Sequence, residues 1–223
     1  MLSTTCMGTT ASAVRPAAST VSPPLPRPFV INQPLSPGSH RSQVFATPLT
    51  FTVRDGWKVF EDEIGQFGLA EVANDAPCVC VWRDVRLMSA SCADEADPAT
   101  GANGLAIATA LSKRPGIDST LPAPVSVGGL RGYVLDINLD PSWTKPCPYS
   151  NGDPTVPTLV GSGISKDVAW EVGPNHRQRL YLLDLPTDGQ NIAINIEVCC
   201  GAEWDERMSE VAPVIVSMSF EYQ

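Results

Sequence analysis

The stretch "RLYLLDLPTDGQNIAINIEV", residues 179–198, decides the fold. Its two halves, "RLYLLDL" (179–185) and "NIAINIEV" (191–198), are short runs rich in Ile and Leu, with the length and composition of strands. Between them lies "PTDGQ", whose central Asp-Gly tolerates the positive φ angles of a tight turn. The pair therefore reads as a β-hairpin. In the second strand Ile192, Ile194, Ile196 and Val198 face one way, and Asn195 and Glu197 the other. That alternation predicts a half-exposed antiparallel strand, with Ile194 and Leu182 on a buried face.

Outward from this hairpin the same signals recur. "LRGYVLDINLD" (130–140) reads as a strand entered from the Gly128-Gly129 turn, and "DVAWEV" (167–172) as another. The segment between them, 141–163, is rich in Pro, Ser, Thr and Gly and reads as a long loop. Towards the N-terminus, "LTFTV" (49–53), the turn "RDG" and "WKVF" predict a second hairpin. "QFGLAEV" (66–72) follows, with Gly65 and Gly68 as turn or bulge points. In "CVCVWRDVRLM" (78–88), Cys78, Cys80 and Trp82 share one strand face and Val79 and Val81 the other, so this strand starts buried on both sides.

Two helices are expected. In "NGLAIATALSK" (103–113), Asn103 caps, Ile107, Ala108 and Leu111 form an apolar stripe, and Lys113 and Arg114 favour the negative end. Near the C-terminus Trp204, Met208, Val211, Ile215 and Met218 recur at helical spacing, with Pro213 expected to kink or shorten the helix. A short strand, "SMSFEY", closes the chain. The fold class is α+β: an antiparallel twisted sheet of about 6–8 strands with two helices packed against it.

The first 44 residues differ. They are rich in Ser, Thr, Ala and Pro without a hydrophobic period, so they read as a disordered, dispensable tail before a single domain at 45–223. Their start lacks the charged and apolar segments of a signal peptide, and no stretch of ~18 apolar residues spans a membrane. A net charge of −9 argues against nucleic acid and anionic membrane surfaces as partners, because both need clustered Lys and Arg.

Several segments taken together resemble a family. "DGWKVFEDEIGQFGL", "VWRDVRLMSASC", "LAIATALSKRPG" and "VGGLRGYVLDINLD…C…RLYLLDLPTDGQNIAINI" are similar to an uncharacterised extracytoplasmic domain recurrent in actinobacterial and related bacterial proteins. A looser likeness joins it to PsbP-like α+β domains. The resemblance covers most of 49–220. It implies an exported or membrane-anchored sensor-like or accessory module, and no catalytic activity.

Seven cysteines invite a weighing of metal, disulfide and core. Cys78-x-Cys80 has the wrong spacing for a zinc knuckle, and the chain has only two histidines, His40 and His176. No metal site and no cofactor are expected. Cys92 and Cys147 both lie in polar loops, where a free buried thiol has no role, and an exported protein would bridge them. Cys78 and Cys80 read as small core residues, with pairing to Cys199 or Cys200 left open.

For function, Trp143, Tyr149 and Trp170 lie in the long loop or at a strand start. Aromatics beside a groove bind sugars or peptides; the competing reading is packing at the rim of a core. His176 is the sole candidate base of the folded part, with Glu171 as a nearby carboxylate, and no G-x-S-x-G elbow accompanies it. "DINLD" (136–140) mimics a calcium loop but has Pro141 where the loop needs glycine and Cys147 where it needs glutamate. Two readings stand: a non-catalytic exported or surface-associated module binding a small ligand or protein partner, or a small hydrolase using His176.

Overall fold

The computed structural model describes residues 28–73, 77–161, 170–186, 189–198 and 203–222. These form, in chain order, β1 (Gly38–Arg41), β2 (Leu49–Val53), β3 (Trp57–Asp62), β4 (Gln66–Glu71), β5 (Cys78–Arg83), β6 (Val85–Leu87), α1 (Gly104–Leu111), β7 (Ile117–Ser119), β8 (Ala123–Val127), β9 (Leu130–Leu139), β10 (Val156–Gly161), β11 (Trp170–Val172), β12 (Arg177–Asp184), β13 (Asn191–Val198), α2 (Trp204–Ser217) and β14 (Ser219–Phe220). The fold is α+β.

One antiparallel sheet organises it, in the order β3-β4-β5-β13-β12-β9-β7, with β8 also paired to β9. The hairpin at 179–198 is its centre: β12 and β13 pair throughout, and each has a further neighbour. Two three-stranded sheets, β1-β2-β14 and β11-β10-β6, complete the described strands.

The central strands are buried on both faces, not one. Ile192, Ile194 and Ile196 join Val79, Val81 and Leu183 in a core that includes Phe51 of β2 and Met208, Val211 and Ile215 of α2. Ala193, Leu180 and Leu182 join Trp82, Leu135 and Ile137 in a second core closed by α1, β6 and β10. Ile194 sits opposite Tyr181, and Leu182 opposite Ala193, so Ile194 and Leu182 face different cores. Asn195 is as buried as Ile194. The alternation of β13 looked one-sided because its second face carries alanine and an amide. The apolar bulk of that face comes from β12, β9 and α1.

Other expectations change in the same way. β2 does not pair with β3; it pairs with β1 and β14, while β3 pairs with β4 across a bulge at Phe60. The Arg54-Asp55-Gly56 turn, with Gly56 at φ 94°, moves the chain between sheets. Within the expected loop 141–163, "VPTLVG" is β10, held between β6 and β11. Sequence offered little warning, because its apolar neighbours come from distant segments. Residues 28–44 belong to the folded unit, which corrects a boundary at 44. They cover the edge of β3, where, around a turn at Ile31–Asn32, the Asn32 and Leu35 backbone N–H groups donate to the Val59 and Trp57 carbonyls. The rest of the expected tail, 1–27, lies outside the described residues.

Local chemistry explains the joints. Gly128 and Gly129 have φ of 59° and 86°, the left-handed pair a tight hairpin turn needs, and they link β8 to β9. Asp84, at φ 56°, reverses the alternation after β5, so Val85 joins the same core as Trp82 and β6 leaves the main sheet. Buried Asn191 fixes this break: its Oδ1 accepts from Val85 N (3.0 Å), and its Nδ2 donates to the Val85 and Ala102 carbonyls (2.9 and 2.7 Å).

Asn103 caps α1 as expected, accepting from Ala106 N at 2.8 Å. Gly104 lets that helix start against β12, where a Cβ would stand 2.3 Å from the Leu182 carbonyl oxygen. Arg114 does not serve the helix end. It is buried, and its guanidinium donates to Met88 O (2.5 Å) and Pro157 O (2.6 Å), tying α1 to β10 and the end of β6. Pro213 does not end α2, which runs on to Ser217. The helical bond it removes would fall on Ser209, which is exposed, so water can satisfy that carbonyl.

Candidate functional site

The disulfide between Cys92 and Cys147, with a Cα–Cα distance of 5.6 Å, ties the 141–155 loop to the end of the β6 segment. Cys147 is buried, and Ser150 continues the anchoring by turning its hydroxyl to the Cys147 and Asp153 carbonyls (2.9 and 2.8 Å). The loop stands between two clefts.

The first, about 490 Å³, is a groove between the loop, β11 with the turn after it, and the end of β13. Trp170 lies at one side, its ring 4.2 Å from that of Trp82 and tilted by 53°. Glu171, His176, Glu197 and Asp153 supply the charge. His176 follows a turn in which Asn175 adopts φ 61°, and its Nδ1 contacts the Glu197 carboxylate directly. Beneath, Gln178 is 1% exposed; its Nε2 donates to the Glu171 carbonyl at 2.8 Å. Its Oε1, like Glu171 Oε2 and Trp170 Nε1, is buried with no partner among the described residues. Such groups cost free energy unless something else pairs them.

The electrostatics follow from that crowding. Burial raises the Glu171 carboxyl above its ordinary range, with Glu197 adding to the rise and His176 opposing it. The hydrogen bond to Glu197 raises His176, against a smaller desolvation effect. Tyr149, half exposed beside the groove, is pushed up to about 12, mainly by burial and then by Glu171 and Asp94.

One pH dependence follows. His176 titrates higher folded than unfolded, so its pairing stabilises the fold fully below the ordinary value of 6.5 and ceases to as pH rises through the raised value. Wild type and His176→Gln should therefore differ more in melting temperature at pH 5.5 than at pH 9, as a thermal melt series shows. A constant difference would mean that His176 does not gain a partner on folding.

Of the aromatic residues singled out in the sequence, Trp170 lines this groove; Tyr149 lies near enough to feel the charge of Glu171 without lining it, and Trp143 lies elsewhere. Trp143 lines the second cleft, on the other side of the loop. Glu171 shares the groove with His176, but the residue in contact with the imidazole is Glu197. The hairpin register could have found it, since Gln178 opposite Glu197 places His176 just beyond the strand end.

Asp136, of the calcium-like "DINLD", is held by Arg179 (2.6 and 2.9 Å) within β9. Among the described residues no three His, Cys, Asp or Glu side chains converge as metal ligands. Cys80 is buried in the core on the α1 side, with Cys78 partly buried against it. Cys199 and Cys200 lie outside the described residues. Among the described residues no helix is long and apolar enough to cross a membrane.

No protein-family model and no curated protein matches the chain. Solved structures do resemble it. A Bacteroides thetaiotaomicron protein is similar over 84% of this chain, with 12% identity and a TM-score of 0.43; the chain spans 50% of that protein's length. LpqN of Mycobacterium tuberculosis, described as involved in cell envelope biogenesis, is similar over 85% of this chain and 90% of its own, with 13% identity and a TM-score of 0.39. CyanoP, the PsbP of Synechocystis sp. PCC 6803, is similar over 83% of this chain and 94% of its own, with 10% identity and a TM-score of 0.42. At these identities, and with TM-scores below 0.5, none of them carries a functional argument for this chain.

Proposed function

We propose that the chain is a non-catalytic extracytoplasmic module that binds a cationic group, on a small ligand or a protein partner, in the groove beside Trp170. The observation that carries this reading is Glu171: a carboxylate beside an aromatic ring, one of whose oxygens is buried without a partner among the described residues. Glu197 and Asp153 add negative charge, and Trp170 offers a π face. The extracytoplasmic setting draws support from the Cys92–Cys147 bridge, since such bonds persist in oxidising compartments. N-acetylarginine amide and its uncharged isostere N-acetylcitrulline amide, titrated calorimetrically, test the reading. N-acetylarginine amide should bind about tenfold or more tightly, and Glu171→Gln should remove most of that preference. Equal affinities, or a preference that survives the substitution, reject it.

A second reading has its own observation. His176, oriented by Glu197, shares the groove with Ser150, an arrangement from which a hydrolase could be built. Against it, the Ser150 hydroxyl is turned to backbone carbonyls. Turnover of p-nitrophenyl acetate that disappears in His176→Ala and Ser150→Ala would establish it.

A further inference from the structure

The second cleft, about 450 Å³, lies on the far side of the 141–155 loop, and its chemistry is opposite to that of the first. Its cations are Arg114 and Lys145, and no aspartate or glutamate lines it. Arg114 is 7% exposed, yet its recorded partners are two neutral carbonyls, of Met88 and Pro157. Among the described residues no carboxylate forms an ion pair with it; Asp97 acts on it only from a distance. A buried guanidinium without a counter-charge is costly, in a protein of net charge −9. Burial accordingly lowers the Arg114 pKa from its ordinary value.

The wall is fixed in advance. The Trp143 indole N–H donates to the Lys145 and Thr155 carbonyls (2.9 and 3.1 Å), and its ring rests on Gly116, where a Cβ would come within 2.5 Å. Lys145 Nζ lies 5.1 Å from the ring centroid. Pro146 and Pro148 stiffen the rim, and the disulfide holds both in place.

We propose that this cleft binds a small organic anion: a carboxylate carried on a ring. The carboxylate is met by Lys145 and by the field of Arg114, and the ring lies against Trp143. The arrangement concentrates two cations and a flat apolar surface where a ligand gains charge-assisted hydrogen bonds and stacking together. It is independent of the acidic groove.

The test uses the full oxidised chain with two carboxylates, galacturonate and indole-3-acetate, against their uncharged counterparts galactose and tryptophol. Binding is read by calorimetry and by the Trp143 indole N–H resonance in ¹⁵N-labelled protein. At least one carboxylate should bind about tenfold or more tightly than its counterpart and shift that resonance. Galacturonate alone binding would mark an acidic sugar as the ligand type; indole-3-acetate alone would mark an aromatic acid. Lys145→Gln, on the exposed rim, should weaken binding severalfold without changing the melting temperature, and Glu171→Gln should leave it unchanged. Arg114→Lys should weaken it further. If that variant fails to fold, Lys145→Gln and the charged-to-neutral ratio still decide. No binding of either carboxylate, equal binding of charged and neutral probes, or binding that leaves the Trp143 resonance in place overturns the proposal.

Discussion

Replacing Cys92 and Cys147 together by serine is expected to lower the unfolding free energy by about 4 kcal/mol. The two residues are 55 apart in sequence, and releasing a loop of that length returns this much chain entropy to the unfolded state. The loop itself has little else: an isolated bridge between Pro146 and Pro154, and the hydrogen bonds of Ser150 and Trp143. Because it walls both clefts, the double variant should also lose ligand binding at each. Urea unfolding of wild type under oxidising and reducing conditions, beside the variant, measures the effect. Reduced wild type should unfold like the variant. A loss under about 1 kcal/mol would show that backbone and Trp143 contacts hold the loop, and the case for an oxidising compartment would lose its physical basis.

Ile194→Ala should cost about 2–5 kcal/mol, because it opens a cavity under α2 at the centre of the sheet. Its neighbour should behave differently despite equal burial. Asn195 is 0% exposed, and neither its Oδ1 nor its Nδ2 has a partner among the described residues. Asn195→Ala removes a buried amide that costs about 1–3 kcal/mol to leave unpaired, against the small cavity it opens. The two effects oppose each other, so the net change should be under about 1 kcal/mol. Asn195→Asp, which buries an unpaired charge in the same place, should cost more than about 3 kcal/mol or titrate towards neutrality. Equal losses at Ile194→Ala and Asn195→Ala would show that the amide is satisfied in solution.

The candidate sites were legible only in pieces. His176, Glu171, Trp143, Tyr149 and Trp170 all attract notice as residue types in polar segments. Which of them share a cleft depends on where the 141–155 loop turns, and no period or spacing encodes that. Glu197 escaped because alternation along β13 assigned it to a solvent face, although β11 and its turn flank that end of the strand. Arg114 escaped because a cation after a helix has an obvious local role at the helix end. Its actual partners are 26 and 43 residues away.

The sequence by itself determined what short-range chemistry can determine. Asn103 caps α1, Gly189 with φ 73° lies between strands whose register pairs Arg177 with Val198, and Gly128-Gly129 reverses the chain before β9. In each case the conformation is dictated by neighbours within a few residues, so the pattern carries it. The tertiary structure alone decided how many faces were covered. It alone sent β2 to a different sheet from β3, made a strand of "VPTLVG", and set an acidic groove and a basic cleft back to back. Those outcomes rest on burial shared between distant segments. A strand covered on both faces differs from one covered on a single face only in what packs over it, and that neighbour lies elsewhere in the chain.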